Sequence, residues 1–141
     1  MKVICAMTAR FAEIVEGGSV FIAGGDVNLI NIQGKLPAAV GVPIYYIAKL
    51  EVSAEESGRS HNIRVVFLAP SKTILEAAEQ NLEAAQSEGG RSTTLGFVMM
   101  MGGVTFPEEG LYEYLLIVDG TELTRTSLYI QELRPEVKPE V

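Results

Sequence analysis

Ile44-Tyr45-Tyr46-Ile47-Ala48-Lys49-Leu50-Glu51-Val52 is the stretch on which the fold turns. Its even positions are all apolar, and its odd positions end in Lys49 and Glu51. A repeat of two with one apolar side marks a strand that buries one face. Working outward, Pro43 starts the segment and the turn Glu55-Glu56-Ser57-Gly58 ends it. Beyond that turn Ile63, Val65, Phe67 and Ala69 alternate with Arg64, Val66 and Leu68, so the two segments predict a β-hairpin.

The same grammar recurs elsewhere. Leu111 to Val118 is rich in aromatic and branched residues, and Asp119-Gly120 is a tight-turn signal leading into a partner strand from about Glu122 to Gln131. Leu128 and Ile130 are its inward residues. Leu95 to Met101 reads as a strand closing on Gly102-Gly103, and Pro107 to Gly110 as a turn. Near the start, Lys2 to Thr8 and Ser19 to Ala23 are strands separated by Gly17-Gly18, with Val27 to Ile32 continuing the second past Gly24-Gly25. Residues 134–141 alternate Glu with Lys and Pro and read as a flexible C-terminal tail, leaving 1–133 as a single β-sandwich domain.

One segment resists this pattern. Residues 73–88 contain Leu-Glu-Ala-Ala-Glu-Gln-Asn-Leu-Glu-Ala-Ala-Gln, nearly all strong helix formers, and Leu75, Ala78, Leu82 and Ala85 fall on one helical stripe. Propensity alone predicts a helix there.

Several turn and core signatures occur together. They are Cys5, Gly17-Gly18 leading to a strand with Gly24, the Pro43-started strand, and Glu56 to Gly58 followed by His61. Phe106-Pro107 with Gly110 and Tyr112, and Val118-Asp119-Gly120, complete the set. In these the chain resembles the bacterial domain of unknown function family 6941, from about Val3 to Ile130, departing from it at Ala23 to Asn28. The resemblance implies an all-β, antiparallel two-sheet β-sandwich of immunoglobulin-like type with about eight strands, and no activity, cofactor or partner. It also implies that residues 73–85 form a strand. We adopt that expectation over the helix, because tertiary pairing overrides propensity.

Composition narrows the function. The chain has 141 residues, enough for one domain burying roughly 70% of its unfolded surface. Its net charge is −7, and its 11 basic residues never cluster, which argues against nucleic acid as a partner. Only two of the 18 acidic residues are Asp, a balance unlike calcium loops. The charge-free stretch between Lys35 and Lys49 has 13 residues and two prolines, short of the roughly 18 apolar residues of a membrane span. The single cysteine cannot form an internal disulfide, so the expected setting is cytoplasmic.

Catalytic and metal-binding patterns are weak. His61 is the one histidine and has no cysteine near it in sequence, so it reads as an exposed strand residue and no cofactor or metal is expected. Cys5 sits between apolar neighbours and reads as a small buried hydrophobe. A triad would have to recruit His61 with Asp26, Asp119 or a glutamate, and there is no Gly-x-Ser-x-Gly elbow. Glu55-Glu56 and Glu108-Glu109 lie in turns and point to solvent. The glycine pairs match no phosphate loop. Tyrosines 45, 46, 112, 114 and 129 could recognise carbohydrate or another small molecule, although alternation turns Tyr46, Tyr112 and Tyr114 toward the core.

One feature exceeds an ordinary sandwich. Several strands are apolar on both faces. If Val65, Phe67, Leu116, Val118, Met99 and Met101 face inward, then Val66, Leu68, Val98, Met100, Leu115 and Ile117 face outward. Six such side chains on one sheet make a patch of roughly several hundred Å², the size that marks an interface. The expectation is a non-enzymatic interaction or assembly module that buries this face against like subunits or another protein as a homo-oligomer. An amphipathic helix at 73–88 lying across the patch is the competing possibility.

Overall fold

A strand with one apolar face must bury it against another element, and the computed structural model does so with two facing sheets. The structure describes residues 1–15, 19–39 and 41–133. The described strands are β1 (Lys2–Ala9), β2 (Phe11–Ile14), β3 (Val20–Ala23), β4 (Leu29–Gln33), β5 (Ala38–Ala39), β6 (Ile44–Val52), β7 (Ser60–Leu68), β8 (Ile74–Glu83), β9 (Thr93–Met101), β10 (Thr105–Phe106), β11 (Gly110–Val118) and β12 (Thr121–Leu133). The expected eight become twelve because β2, β3, β5 and β10 are short pieces of four residues or fewer.

One sheet has the order β1-β6-β9 and the other β4-β12-β11-β7-β8. Both are antiparallel except that β4 runs parallel to β12. The core lies between them. Tyr46 of β6 stacks on Tyr114 of β11 with centroids 4.8 Å apart, and Tyr114 stacks on Phe67 at 4.4 Å, so one aromatic column joins the sheets. Tyr46, Tyr112 and Tyr114 are therefore inward, as alternation predicts.

The connectivity is immunoglobulin-like. In such sandwiches the first, second and fifth strands share one sheet, and the third, sixth and seventh share the other. Here β1, β6 and β9 take the first set and β7, β11 and β12 the second, while the fourth long strand, β8, pairs with β7 instead of joining the first sheet. Tyr112, near the start of β11, donates its hydroxyl to the Glu108 carbonyl at 2.6 Å. That is the tyrosine-corner arrangement, a ring anchoring the incoming connection at the corner between sheets.

Two sequence expectations need correction and a third holds. First, β6 and β7 are not a hairpin. The chain crosses between sheets at 53–59, where Ser53 Oγ donates to Glu56 Oε1 and Ser57 Oγ to the Ala54 carbonyl. Two strands facing across a sandwich have the same alternation as two strands paired within a sheet, so periodicity cannot separate the cases. Second, residues 27–32 do not continue β3. Gly24 and Asp26 adopt positive φ (60° and 58°), and β4 crosses to the other sheet. The strand expected at residues 73–85 is present, so propensity loses there. Ile74–Glu83 is a strand antiparallel to β7, with Val65 opposite Ala78 and His61 opposite Leu82. The strand implied by the family resemblance is the observed one. Gly17-Gly18 and the tail at 134–141 lie outside the described residues.

Candidate interaction surfaces

The six expected interface residues do not share a face. Val66, Leu68, Leu115 and Ile117 belong to the five-stranded sheet, whereas Val98 and Met100 belong to β9 on the opposite side of the sandwich. The inward set is as expected: Val65, Phe67, Met99, Met101, Leu116 and Val118 are all buried. The outward set varies. Val66 is only 4% exposed, Leu68, Val98, Leu115 and Ile117 are half-buried, and Met100 is 60% exposed.

Charge breaks up the outer face of the five-stranded sheet. Leu115 lies in register between Val66 and Arg125, and Ile117 between Arg64 and Glu122. Lys72 Nζ donates to Glu113 Oε1 at 2.9 Å, and Arg125 binds both Glu122 and Glu113. The Lys72 hydrogen bond holds the Glu113 carboxyl below the usual carboxylate range. One apolar row remains toward the far end, where Leu111, Tyr129 and Leu29 stand side by side and exposed.

The outer face of the three-stranded sheet is covered by the chain itself, though not by residues 73–88. Strands β2 and β3 pair as a hairpin over it. Ala12 and Ile47 are buried there, packed with Met7, Ile22, Tyr45 and Val98. Gly96 makes the approach possible, since a Cβ there would stand 3.3 Å from Ile14 Cδ1. This cover leaves Phe21 and Met100 exposed, with the Phe11 ring edge-on to Phe21 and Tyr45. Cys5 sits on the same outer side, opposite Lys49, half-buried and not in the core as expected.

The sheet edges differ in chemistry. An edge strand offers unpaired N–H and C=O groups to any other chain, and proteins guard such edges with charge, bulges, shortness or a cover. Strand β8 carries Glu76, Glu79 and Glu83. Strand β4 has five residues and includes Asn31 and Gln33. In β1 the register shifts between Val3 and Cys5. Strand β9, Thr-Thr-Leu-Gly-Phe-Val-Met-Met-Met, has nine residues and no charge or proline, and among the described residues it pairs only with β6. The signal was in the sequence: Ser92 to Pro107 contains no charged residue. Periodicity alone did not show that this run would lie at an edge.

His61 is buried at 3% exposure, correcting the expectation of an exposed strand residue. Its Nδ1 lies 2.7 Å from Asp119 Oδ2, and its Nε2 lies 2.7 Å from the Glu56 carbonyl oxygen. A carbonyl and an ionised carboxylate only accept, so both ring nitrogens must donate and the site suits the imidazolium. The Asp119 hydrogen bond raises the His61 pKa, and the same bond lowers that of Asp119. Glu56, expected to point to solvent, instead accepts from the Met1 amino group at 2.8 Å and from Ser53. The Met1 contact first, then Ser53, pulls its carboxyl down to about 2. With both nitrogens engaged, His61 clamps the inter-sheet crossing to the turn at Asp119. Sequence could not reveal this, because its partner is 58 positions away.

Among the described residues no three His, Cys, Asp or Glu side chains gather into a metal-binding group. Tyr45 and Tyr129 lie on the outer faces of different sheets and cannot line one site. The model of a family of unknown function (DUF6941) matches residues 4–131. No curated protein matches the chain.

Proposed function

We propose that this chain, which belongs to the DUF6941 family of unknown function, is a non-catalytic assembly module that pairs with a second copy of itself along β9. The supporting observation is the contrast between that edge and the others: among the described edge strands, β9 alone is long, uncharged and open. Antiparallel pairing centred on Phe97 is self-complementary about a two-fold axis. It sets Met100 opposite Thr94 and Val98 opposite Gly96, a large side chain against a small one on the outer face. Phe21, on the hairpin beside β9, adds apolar area at the rim. Of the six residues expected from sequence, Val98 and Met100 carry the contact, and Leu68, Leu115 and Ile117 serve as spacers in a charged face.

Other features fit this reading. The engaged ring of His61 supports a non-enzymatic role, and the excess of acidic over basic residues argues for a protein partner over nucleic acid. The lone cysteine suits a cytoplasmic setting. No described helix is long and apolar enough to cross a membrane. The tyrosines lend no support to a carbohydrate site.

Sedimentation across a concentration series tests the proposal. We expect a reversible dimer with Kd on the order of micromolar, as suits a modest interface. Met100→Lys should yield a folded monomer, because it places a charge on an exposed edge side chain without touching the core. A wild-type monomer at high concentration, or a Met100→Lys dimer of unchanged affinity, would overturn it.

A further inference from the structure

A cleft of about 340 Å³ opens where the end of β1 meets β4 and residues 42–44. Its size is that of a small-molecule site. Val27, Ile30, Val42 and Ile44 give it apolar walls, and Arg10 and Asn31 are its polar members. In register with Gln131, Asn31 takes the face of β4 opposite Ile30, where its Oδ1 accepts from Gln131 Nε2 at 2.7 Å, so the donors at the cleft are those of Arg10. The Arg10 guanidinium cannot accept, and among the described residues its side chain forms no ion pair or hydrogen bond. Arg10 is exposed and, like Arg59, Arg64 and Arg91, forms no ion pair among the described residues; of these four arginines it alone lines this cleft.

The local backbone seats that arginine. Arg10 N donates to the Gly24 carbonyl at 3.1 Å, and its aliphatic stem lies across Gly24, where a Cβ would come within 2.9 Å of Arg10 Cδ. Gly24 has a φ of +60°, so a side chain is disfavoured there on two counts. Val27 N then donates to the Thr8 carbonyl at 2.8 Å and brings up the opposite wall. The turn through Gly24 thus holds a cation against the mouth of an apolar cleft.

We propose that this cleft binds a small amphipathic carboxylate, its anionic head on the Arg10 guanidinium and its aliphatic body between Val27, Ile30, Val42 and Ile44. A bidentate guanidinium–carboxylate contact supplies orientation, and the apolar walls supply affinity. The site is separate from β9 and does not depend on assembly through that edge.

Octanoate, octylamine and octan-1-ol, titrated separately and followed by backbone amide NMR, test this. Octanoate should give saturable shifts confined to residues 9–10, 27–31 and 42–44, and octylamine should give none there. Arg10→Gln should weaken octanoate by about tenfold or more, the usual loss for a charged hydrogen bond. Met100→Lys should bind octanoate as the wild type does, which separates this result from that for assembly. Octylamine or octan-1-ol binding as tightly as octanoate, an Arg10→Gln protein of unchanged affinity, or no saturable shift at millimolar octanoate would overturn the proposal. If Arg10→Gln misfolds, the three-ligand comparison on the wild-type protein still decides.

Discussion

Strands β8 and β9 follow one another in the chain, are nearly equal in length, and both lie at a sheet edge, yet their surfaces are opposites. Strand β8 reads like a helix and carries three glutamates; β9 is apolar on both faces and carries no charge. In register with β7, Glu76 and Gln80 of β8 take the core-facing side at the border of the sandwich, where they meet solvent. An inward-pointing charge on an edge strand discourages pairing with another chain. The difference shows that apolar faces and open edges are separate properties. The outer face of the five-stranded sheet has apolar residues but is laced with ion pairs, whereas β9 has a bare backbone edge as well as exposed apolar side chains.

The largest expected effect comes from erasing that difference. Replacing Glu76, Glu79 and Glu83 together with threonine removes the charge that guards β8. Size-exclusion with light scattering should then show species larger than a dimer, because each copy gains a second open edge. An unchanged mass would mean that charge is not what keeps β8 unpaired.

His61 holds the crossing between the two sheets, and His61→Ala should cost about 2 kcal/mol by urea unfolding, a buried hydrogen-bonded group lost. The pH dependence has a definite sign. The folded pKa of His61 is raised, so its contribution is complete below the unfolded histidine value near 6.5 and fades as pH rises through the folded value. Asp119 is lowered, so its contribution is complete above the unfolded carboxylate value and fades as pH falls through the folded one. Wild-type stability should therefore decline as pH rises above the unfolded histidine value and through the raised folded one, and His61→Ala should flatten that decline.

Tyr112→Phe removes the corner hydrogen bond to Glu108 while keeping the ring in the core, and should cost about 1 kcal/mol with no change in assembly. Leu115→Glu should have the smallest effect. It adds a carboxylate beside Arg125 on the charged face, so we expect stability within about 0.5 kcal/mol and an unchanged dimer by sedimentation. Loss of the dimer in that variant would move the interface to the other sheet.

Much of the fold was legible because strands announce themselves locally. Ile44 to Val52 and the Asp119-Gly120 hairpin are set by alternation and by a turn that needs positive φ at both residues. What alternation does not encode is which sheet a strand joins. That ambiguity misassigned the partner of β6 and placed Val98 and Met100 on one face with Leu115 and Ile117. The helix-like run from Leu75 to Glu83 became a strand because β7 offers a ladder and an apolar inner face, long-range facts absent from the segment itself. The His61–Asp119 pair was hidden because each residue lies in its own turn or strand start, and only the crossing at 53–59 brings a carbonyl to the second ring nitrogen. The Arg10 cleft was hidden for the same reason, since its walls come from three separated segments.

Hydrogen exchange at the backbone amides of β9, measured at high and low protein concentration, tests the account most directly. Amides of β9 that point away from β6 should exchange slowly in concentrated solution and as fast as the open edge of β8 on dilution. Rapid exchange along that outer edge at every concentration, matching β8, would contradict a second copy pairing there.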